Sequence, residues 1–361
     1  MNELKLRQVC LILLAFIPVT KIFTLPATLS HYAHEDLLLS ALIPFALDFL
    51  VLGAVWYASR RAGCDFPAYI RRTLGNTGAK IYFFLYFVYF FLKAYLPIEE
   101  QKDFVELTLY ETDPTIFLFF PFFFISTYLA VKPLRTLGRA ADILTGVTIL
   151  SFAILLFLAV GQTDVAALLP VGAQGKNIFT ATYYGLSWFG DGVYFLFLLG
   201  TFRTEKKGLL KIMLSYAGVA LLTLLFLAVF YGSFSSIADR QEFALNEMSK
   251  YSAVILAVGR FDYIAIFLFL GVGVFSIALP LYFSTYALRQ VFPFKQSPLP
   301  AIIVNVGMLA FALLSKYDYV LIRDTLLSWN GVLVIVFSYV IPIATAFFKK
   351  DKTLPLKEKT A

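Results

Sequence analysis

The sequence predicts an all-α polytopic membrane protein with about ten transmembrane helices. Of its 361 residues, 60% are hydrophobic and only 15% are charged, and the mean hydropathy is +0.79. An average soluble domain has about 25% charged residues. The 39 phenylalanines exceed what one soluble core of this length would bury. Most of the chain is therefore expected to face lipid or other lipid-embedded helices.

Apolar stretches of membrane-spanning length recur along the whole chain. A helix needs about 20 apolar residues to cross about 30 Å of hydrocarbon. The stretches of this kind are Gln8–Ser30, Leu37–Ala58, Lys80–Ile98, Thr115–Val131, Ile143–Gly161, Asn177–Phe202, Gly208–Tyr231, Asp262–Gln290, Leu299–Ser315 and Ser328–Phe348. We predict one transmembrane permease-like domain over residues 1–361, ending in a cytoplasmic tail at 349–361.

The basic residues orient these spans. With the N-terminus placed in the cytoplasm, the inner segments hold 21 of the 30 lysines and arginines and the outer loops hold 7. The two others, Lys21 and Lys93, lie inside spans. Such a distribution is typical of cytoplasmic N- and C-termini. The net charge of +7 thus indicates topology and contact with anionic lipid, with no support for nucleic-acid binding.

The first span has a charge between two helix breakers. In "FIPVTKIFTLPATLS", Lys21 lies between Pro18 and Pro26. It is about nine residues from the end of its span, or about 13 Å, which is beyond the reach of its own side chain. A buried unpaired charge costs about 3 kcal/mol, so such residues usually pair and often mark a pathway. Lys93, about five residues from the predicted end of its span, is expected to snorkel to the interface.

The sixth span has a similar interruption around Asp191. Three glycines in "YYGLSWFGDGVYF" weaken the helix there by about 1 kcal/mol each relative to alanine; they are Gly185, Gly190 and Gly192. Ser187 and Asp191 add polar groups at the same depth. The sequence therefore predicts that transmembrane helices 1 and 6 are both interrupted and that each carries a charge.

The interrupted spans are five apart, which predicts a 5+5 inverted repeat. The first repeat covers about residues 8–161 and the second about 177–348. An odd number of spans places the second copy upside down, and paired interruptions in corresponding spans are typical of transporters with a site at the membrane midplane. Unwound backbone there would offer N–H groups to a carboxylate and C=O groups to a cation or ammonium.

The charges inside the spans leave two readings open. Lys21 either forms a purely structural ion pair with Asp48 or Asp191, or it lines a ligand site, which is the reading we favour. For Asp48 a structural role is favoured. Tyr89, in the middle of span three, is a candidate wall of the site.

Two other sets of residues have a site-like spacing. Arg135 and Arg139, one helical turn apart after span four, are either an inner gate or a solvated turn facing lipid headgroups. His31 and His34 have no third metal ligand in view. The two cysteines suit neither a disulfide framework nor a metal site. No phosphate-binding loop or nucleophile–base set is present, so we expect no metal, no cofactor and no enzymatic activity.

Several segments resemble the endospore germination permease family, the B-subunit of Ger-type nutrient germinant receptors in the amino acid–polyamine–organocation superfamily. The segments that carry the resemblance are "RQVCLILLAFIPVTKIFTLPATL", "TDP", "LGRAADIL", "LLPVGAQGKNIFTATYYGLSWFGD" and "GRFDYIAIFLF". The resemblance implies a LeuT-like fold and a site for an amino acid or similar small germinant. It also implies assembly with a membrane A-subunit and a lipoprotein C-subunit.

The sequence differs from the family at the first break. Related permeases tend to have small residues there, whereas "PVTKIF" places Thr20 and Lys21 at that point. Lys21 would then either pair with the ligand carboxylate or take the space of a coupling cation.

Two functions follow as hypotheses. The first is a germinant receptor subunit in the inner spore membrane or bacterial cell membrane, which senses a small germinant. Its ligand site would comprise Thr20, Lys21, Thr24, Tyr89, Gly185, Ser187, Gly190 and Asp191. The second is a proton- or ion-coupled secondary transporter of amino acids or amines, with Lys21 or Asp191 as the titrating group.

Overall fold

The structure is a computed structural model that describes residues 4–62, 65–109, 115–202, 205–250, 262–292, 297–315 and 319–347. Almost all of these residues are helical, and no β-strand occurs among them. Among them, one isolated β-bridge joins Leu4, near the N-terminus, to Phe202.

In the first half of the chain, the described residues form six α-helices. They are α1 (Leu6–Phe16), α2 (Leu25–Ala33), α3 (Leu37–Ala62), α4 (Phe66–Leu109), α5 (Thr115–Val131) and α6 (Leu134–Ala159). Gly75 is non-helical inside α4, with φ 72° and ψ 177°, so α4 is kinked there. A glycine tolerates this positive φ because it has no Cβ.

The described residues of the second half form eight further α-helices. They are α7 (Lys176–Gly185), α8 (Gly192–Phe197), α9 (Gly208–Phe234), α10 (Ala244–Lys250), α11 (Asp262–Val291), α12 (Leu299–Ser315), α13 (Tyr319–Val334) and α14 (Ile341–Ala346). A π-helical turn, Ile335–Val340, connects α13 to α14. The tail at 349–361 and the "TDP" segment lie outside the described residues.

Six helical stretches of the described chain are long and apolar enough to cross a membrane. They are Leu25–Arg60, Phe66–Glu106, Leu134–Gln162, Gly208–Arg240, Ile266–Val291 and Leu327–Ala346. Two shorter apolar helices, Pro121–Val131 and Leu299–Ser315, accompany them. These helices show an all-α polytopic membrane protein, and the total of ten spans stays a prediction.

The interruption in the first span is present. After α1 the chain forms one 3-10 turn, Pro18–Lys21, and it becomes helical again at Leu25. Both prolines lie in the first turn of a helical segment, where their missing N–H has no intrahelical partner to lose. The prolines therefore divide the span into two short helices around the loosened residues 22–24.

The interruption in the sixth span has the same order of elements. A 3-10 turn, Leu186–Trp188, follows α7, and α8 begins at Gly192. Between them Phe189 is extended, and Gly190 has φ 78°. A Cβ on Gly190 would lie 2.5 Å from Ser338 Oγ, so glycine is required there by both conformation and space.

Helix packing brings the two interrupted spans together. We call residues 17–24, between α1 and α2, the first break and residues 186–191, between α7 and α8, the second break. Helix α1 packs against α6 and α9, α2 packs against α7, and α4 packs along α11. Helix α4 continues to Leu109, beyond the predicted end of span three at Ile98. As a result Glu99, Glu100 and Gln101 are buried in the bundle.

Candidate functional site

An ion pair joins the two interruptions. Lys21 Nζ lies 2.7 Å from Asp191 Oδ2, and both side chains are almost completely buried. The Lys21 ammonium also lies 5.0 Å from the centre of the Phe189 ring. The ion pair can form because each break contains one charged residue beside non-helical backbone, and the two residues meet inside the bundle. Of the two carboxylates that the sequence leaves open for Lys21, the structure pairs it with Asp191.

Asp48 has a different role from Asp191. Its Oδ2 accepts hydrogen bonds from Gly190 N at 3.2 Å and Tyr216 OH at 2.8 Å, and its Oδ1 accepts one from Gly192 N at 3.0 Å. Its side chain is completely buried on α3. Buried carboxylates need such donors, because desolvation of an unsatisfied charge is costly. Asp48 therefore holds the loosened turn around Asp191 through that turn's own backbone.

Tyr216 links the two carboxylates. Its hydroxyl lies 2.8 Å from Asp48 Oδ2 and 3.3 Å from Asp191 Oδ2, and the side chain on α9 is buried. A phenol has one proton to donate, so Tyr216 donates to one carboxylate at a time. No local pattern in the sequence of α9 distinguishes this tyrosine, so sequence reasoning missed it.

Lys93 points into the bundle, and the prediction that it snorkels to the interface is wrong. Its side chain is only 6% exposed, and Nζ donates to the Phe189 carbonyl oxygen inside the second break. The Tyr194 ring centre lies 6.0 Å from Nζ. The physical reason is that α4 extends to Leu109, which leaves Lys93 far from the end of its helix.

Glu100 connects the two breaks a second time. Its Oε1 accepts a hydrogen bond from Trp188 Nε1 at 2.9 Å, and the Thr24 hydroxyl donates to the same oxygen. All three side chains are buried. Thr24 lies in the first break and Trp188 in the second, so Glu100 bridges them from α4.

A pocket lies against the two breaks. Its cavity volume is about 20 Å³, which is room for one or two water molecules, and it is partly open to the exterior. Helices α1, α4, α8 and α11 and the two breaks provide its lining residues, which are Phe16, Ile17, Thr20, Lys93, Pro97, Ser187, Trp188, Asp191, Tyr194, Ser276, Leu279 and Pro280. Thr20, Ser187 and Asp191 are the sequence-predicted ligand residues among them.

Three other residues of the predicted ligand site form hydrogen bonds with protein side chains and do not line the pocket. Lys21 does not line the pocket and lies behind Asp191, to which it is bonded. Thr24 contacts Glu100. The Tyr89 hydroxyl shares a hydrogen bond of 2.6 Å with Ser338 Oγ in the π-helical turn.

The two remaining glycines allow close packing. A Cβ on Gly185 would lie 2.9 Å from Leu29, and Gly190 lies against Ser338. Neither glycine lines the pocket. They position the backbone of the second break against α2 and the last span.

Arg135 and Arg139 lie away from this centre. Both are exposed in the first turns of α6, and neither lines the pocket. The described part of the chain contains no group of three or more His, Cys, Asp or Glu side chains that would hold a metal ion.

The match to known proteins covers both breaks and all residues that line the pocket. The family model described as spore germination protein matches residues 5–320, which include both breaks, Asp48, Lys93 and Tyr216. No curated protein sequence matches the chain.

Proposed function

The chain belongs to the spore germination protein family, and we propose that it is the membrane subunit of a spore nutrient germinant receptor. Family membership and the six apolar helices make it a germination-related integral membrane protein. In the proposal it binds an amino acid or similar small germinant at the midplane and signals together with a membrane A-subunit and a lipoprotein C-subunit.

The observation that carries the proposal is the ion pair between Lys21 and Asp191 beside the pocket. A ligand shifts a two-state protein only through its different affinity for the two states. Asp191 lines the pocket and also ties the second break to the first. A ligand that contacts Asp191 therefore acts directly on the bond that joins the two interrupted spans.

The proposed fold is a LeuT-like inverted repeat. Its support is the shared order of elements in the two breaks: an α-helix, one 3-10 turn, three non-helical residues and a second α-helix. The loosened residues are 22–24 in the first break and 189–191 in the second. The charge distribution supports cytoplasmic termini, and the family supports the inner spore membrane as its location.

The second candidate function is a proton- or ion-coupled transporter of amino acids or amines. The observation that favours it is the buried chain of polar groups from Lys21 through Asp191 and Tyr216 to Asp48. Buried ionisable groups inside membrane spans often form proton relays. In a transporter Lys21 or Asp191 would be the titrating group.

Three measurements separate these functions. Spores that lack the chain are compared with spores that carry it, and the loss of optical density is followed after addition of small amino acids. The receptor proposal expects loss of the response on deletion, and co-purification of the chain with two partner subunits. If the protein is a transporter, the chain alone in proteoliposomes is expected to accumulate a radiolabelled amino acid. A normal response without the chain would contradict the receptor.

The breaks are tested with variants in the same spores. Lys21→Met and Asp191→Asn are each expected to abolish the response. Lys80→Met serves as the control, because Lys80 is an exposed lysine on α4. Normal germination by both Lys21→Met and Asp191→Asn spores would show that the site is elsewhere.

A further inference from the structure

One lysine in the pocket has no carboxylate partner. Lys93 lines the pocket, and no Asp or Glu oxygen of the described residues lies within ion-pair distance of its Nζ. Its only hydrogen-bond acceptor there is the Phe189 carbonyl oxygen. An ammonium group has three donors, so Lys93 keeps donors for a further acceptor. Lys21, by contrast, is already bonded to Asp191 and lies outside the pocket lining.

A second donor is unused beside it. Ser187 Oγ is buried and has no hydrogen-bond partner among the residues that the structure describes, and Ser187 lines the same pocket. Buried polar atoms are nearly always satisfied, so an unsatisfied one calls for an explanation. An acceptor atom of a ligand in the pocket is a direct explanation.

Asp191 offers the opposite chemistry. Both of its side-chain hydrogen bonds, from Lys21 and from Tyr216, are to Oδ2. Oδ1 has no such bond among the described residues, although Asp191 lines the pocket. The pocket therefore has an acceptor at Asp191 as well as the donors at Lys93 and Ser187.

We propose that Lys93, assisted by Ser187, binds the carboxylate of the ligand, while Asp191 Oδ1 binds its ammonium. This inference rests on the proposed function, in which a small amino acid occupies this pocket. It assigns carboxylate recognition to the third span, not to Lys21 or to the loosened backbone of the first break. Lys21 keeps Asp191 in place and does not meet the ligand.

The two charged residues that line the pocket favour a zwitterion as the occupant. Lys93 and Asp191 both line it, and a zwitterion presents a group of opposite charge to each. An uncompensated charge inside a bundle is costly. An amine or an amino acid ester lacks the carboxylate that Lys93 would bind.

The test compares amino acids with their methyl esters. The purified full chain in lipid nanodiscs is titrated calorimetrically with glycine, L-alanine, L-serine and L-valine and with the methyl ester of each. Hydrogen bonds to charged groups contribute enough that the ester should bind roughly 10- to 100-fold more weakly. In Lys93→Met the affinity for the amino acid is expected to fall by a similar factor. The ratio of the affinities for the amino acid and its methyl ester is then expected to fall below about threefold.

Three further variants control this result. Lys80→Met changes an exposed lysine on the same helix and is expected to bind as the wild type does. Lys93→Arg keeps the charge and is expected to retain the preference for the acid. Ser187→Ala removes only one oxygen, so it folds even if Lys93→Met does not, and it should lower the preference by roughly 3- to 10-fold.

The outcomes are distinct. If Lys93→Met and Ser187→Ala keep the wild-type preference for the acid, the carboxylate is bound elsewhere and this inference is overturned, while the proposed function stands. If no probe binds to the wild type, the proposed function is overturned together with it.

Discussion

Lys21 and Asp191 are 170 residues apart in the chain, and their side chains form a buried ion pair of 2.7 Å. One comes from the break in the first span and the other from the break in the sixth. The pair directly links the two halves of the molecule beside the pocket, together with the hydrogen bonds of Asp48, Lys93 and Glu100 to the second break. Its energetic behaviour is the first thing to measure.

Breaking this pair from one side is expected to be costly. Loss of one partner of a buried ion pair costs about 3–5 kcal/mol, because the other charge stays buried without compensation. Lys21→Met and Asp191→Asn should therefore each lower the thermal unfolding midpoint, and the double variant should be more stable than either. Arg7→Gln is the control: Arg7 pairs with Asp142 but is 69% exposed, so its loss should cost less than about 1 kcal/mol. Equal midpoints for the single variants and the control would contradict the account.

Asp48 is expected to hold the second break through its backbone. In Asp48→Asn the amide presents an NH₂ group to at least one of the donors Gly190 N, Gly192 N and Tyr216 OH. Loss of a hydrogen bond to a charged group costs about 1.5–3 kcal/mol. Amide hydrogen exchange over residues 189–192 should become faster. Asp164→Asn, which changes the cap of an exposed turn, should leave that exchange unaltered; acceleration by both variants alike would count against a specific role.

Gly190 should tolerate no side chain. Alanine at φ 78° is strained by about 1–2 kcal/mol, and its Cβ would meet Ser338 Oγ at 2.5 Å. We expect Gly190→Ala to unfold at a lower temperature, and Ser338→Gly in that background to restore part of the loss. Gly271→Ala is the matched control, since Gly271 is helical with open space around it, and it should be neutral or slightly stabilising. A Gly190→Ala protein as stable as Gly271→Ala would refute this.

The bond between Glu100 and Trp188 should couple α4 to the second break. Trp188 Nε1 donates to Glu100 Oε1 at 2.9 Å, and both side chains are buried. A double-mutant cycle of Glu100→Leu and Trp188→Phe, each of which removes one partner of the bond, should give a coupling free energy of about 1.5–3 kcal/mol, as for hydrogen bonds to charged groups. Strict additivity of the two substitutions would mean that the bond contributes nothing.

The breaks are foreseeable from sequence because their causes are local. A charge between two prolines, or among three glycines, departs from an apolar helix over a few residues. Lys21 and Asp191 therefore stand out in the amino-acid sequence itself. Which carboxylate Lys21 meets depends on how α1, α3 and α8 pack, and that is not a local property.

Lys93 and Tyr216 show where such reasoning fails. Lys93 is close to the interface only if its helix ends where hydropathy falls, at Ile98. In the structure α4 continues to Leu109, and the buried Glu100 beyond Ile98 has Trp188 and Thr24 as partners. Tyr216 is one aromatic residue in an apolar helix, and its importance comes from two aspartates on other helices.

The central claim is that a small ligand binds between the two breaks, and ligand protection of Ser187 tests it most directly. In a Ser187→Cys variant without the native Cys10 and Cys64, the rate of modification by a small methanethiosulfonate reagent is measured with and without a saturating amino acid. The account predicts that the amino acid slows this modification and leaves that of a Lys176→Cys control, at an exposed position, unchanged. Equal rates at Ser187→Cys with and without the bound amino acid would contradict the claim.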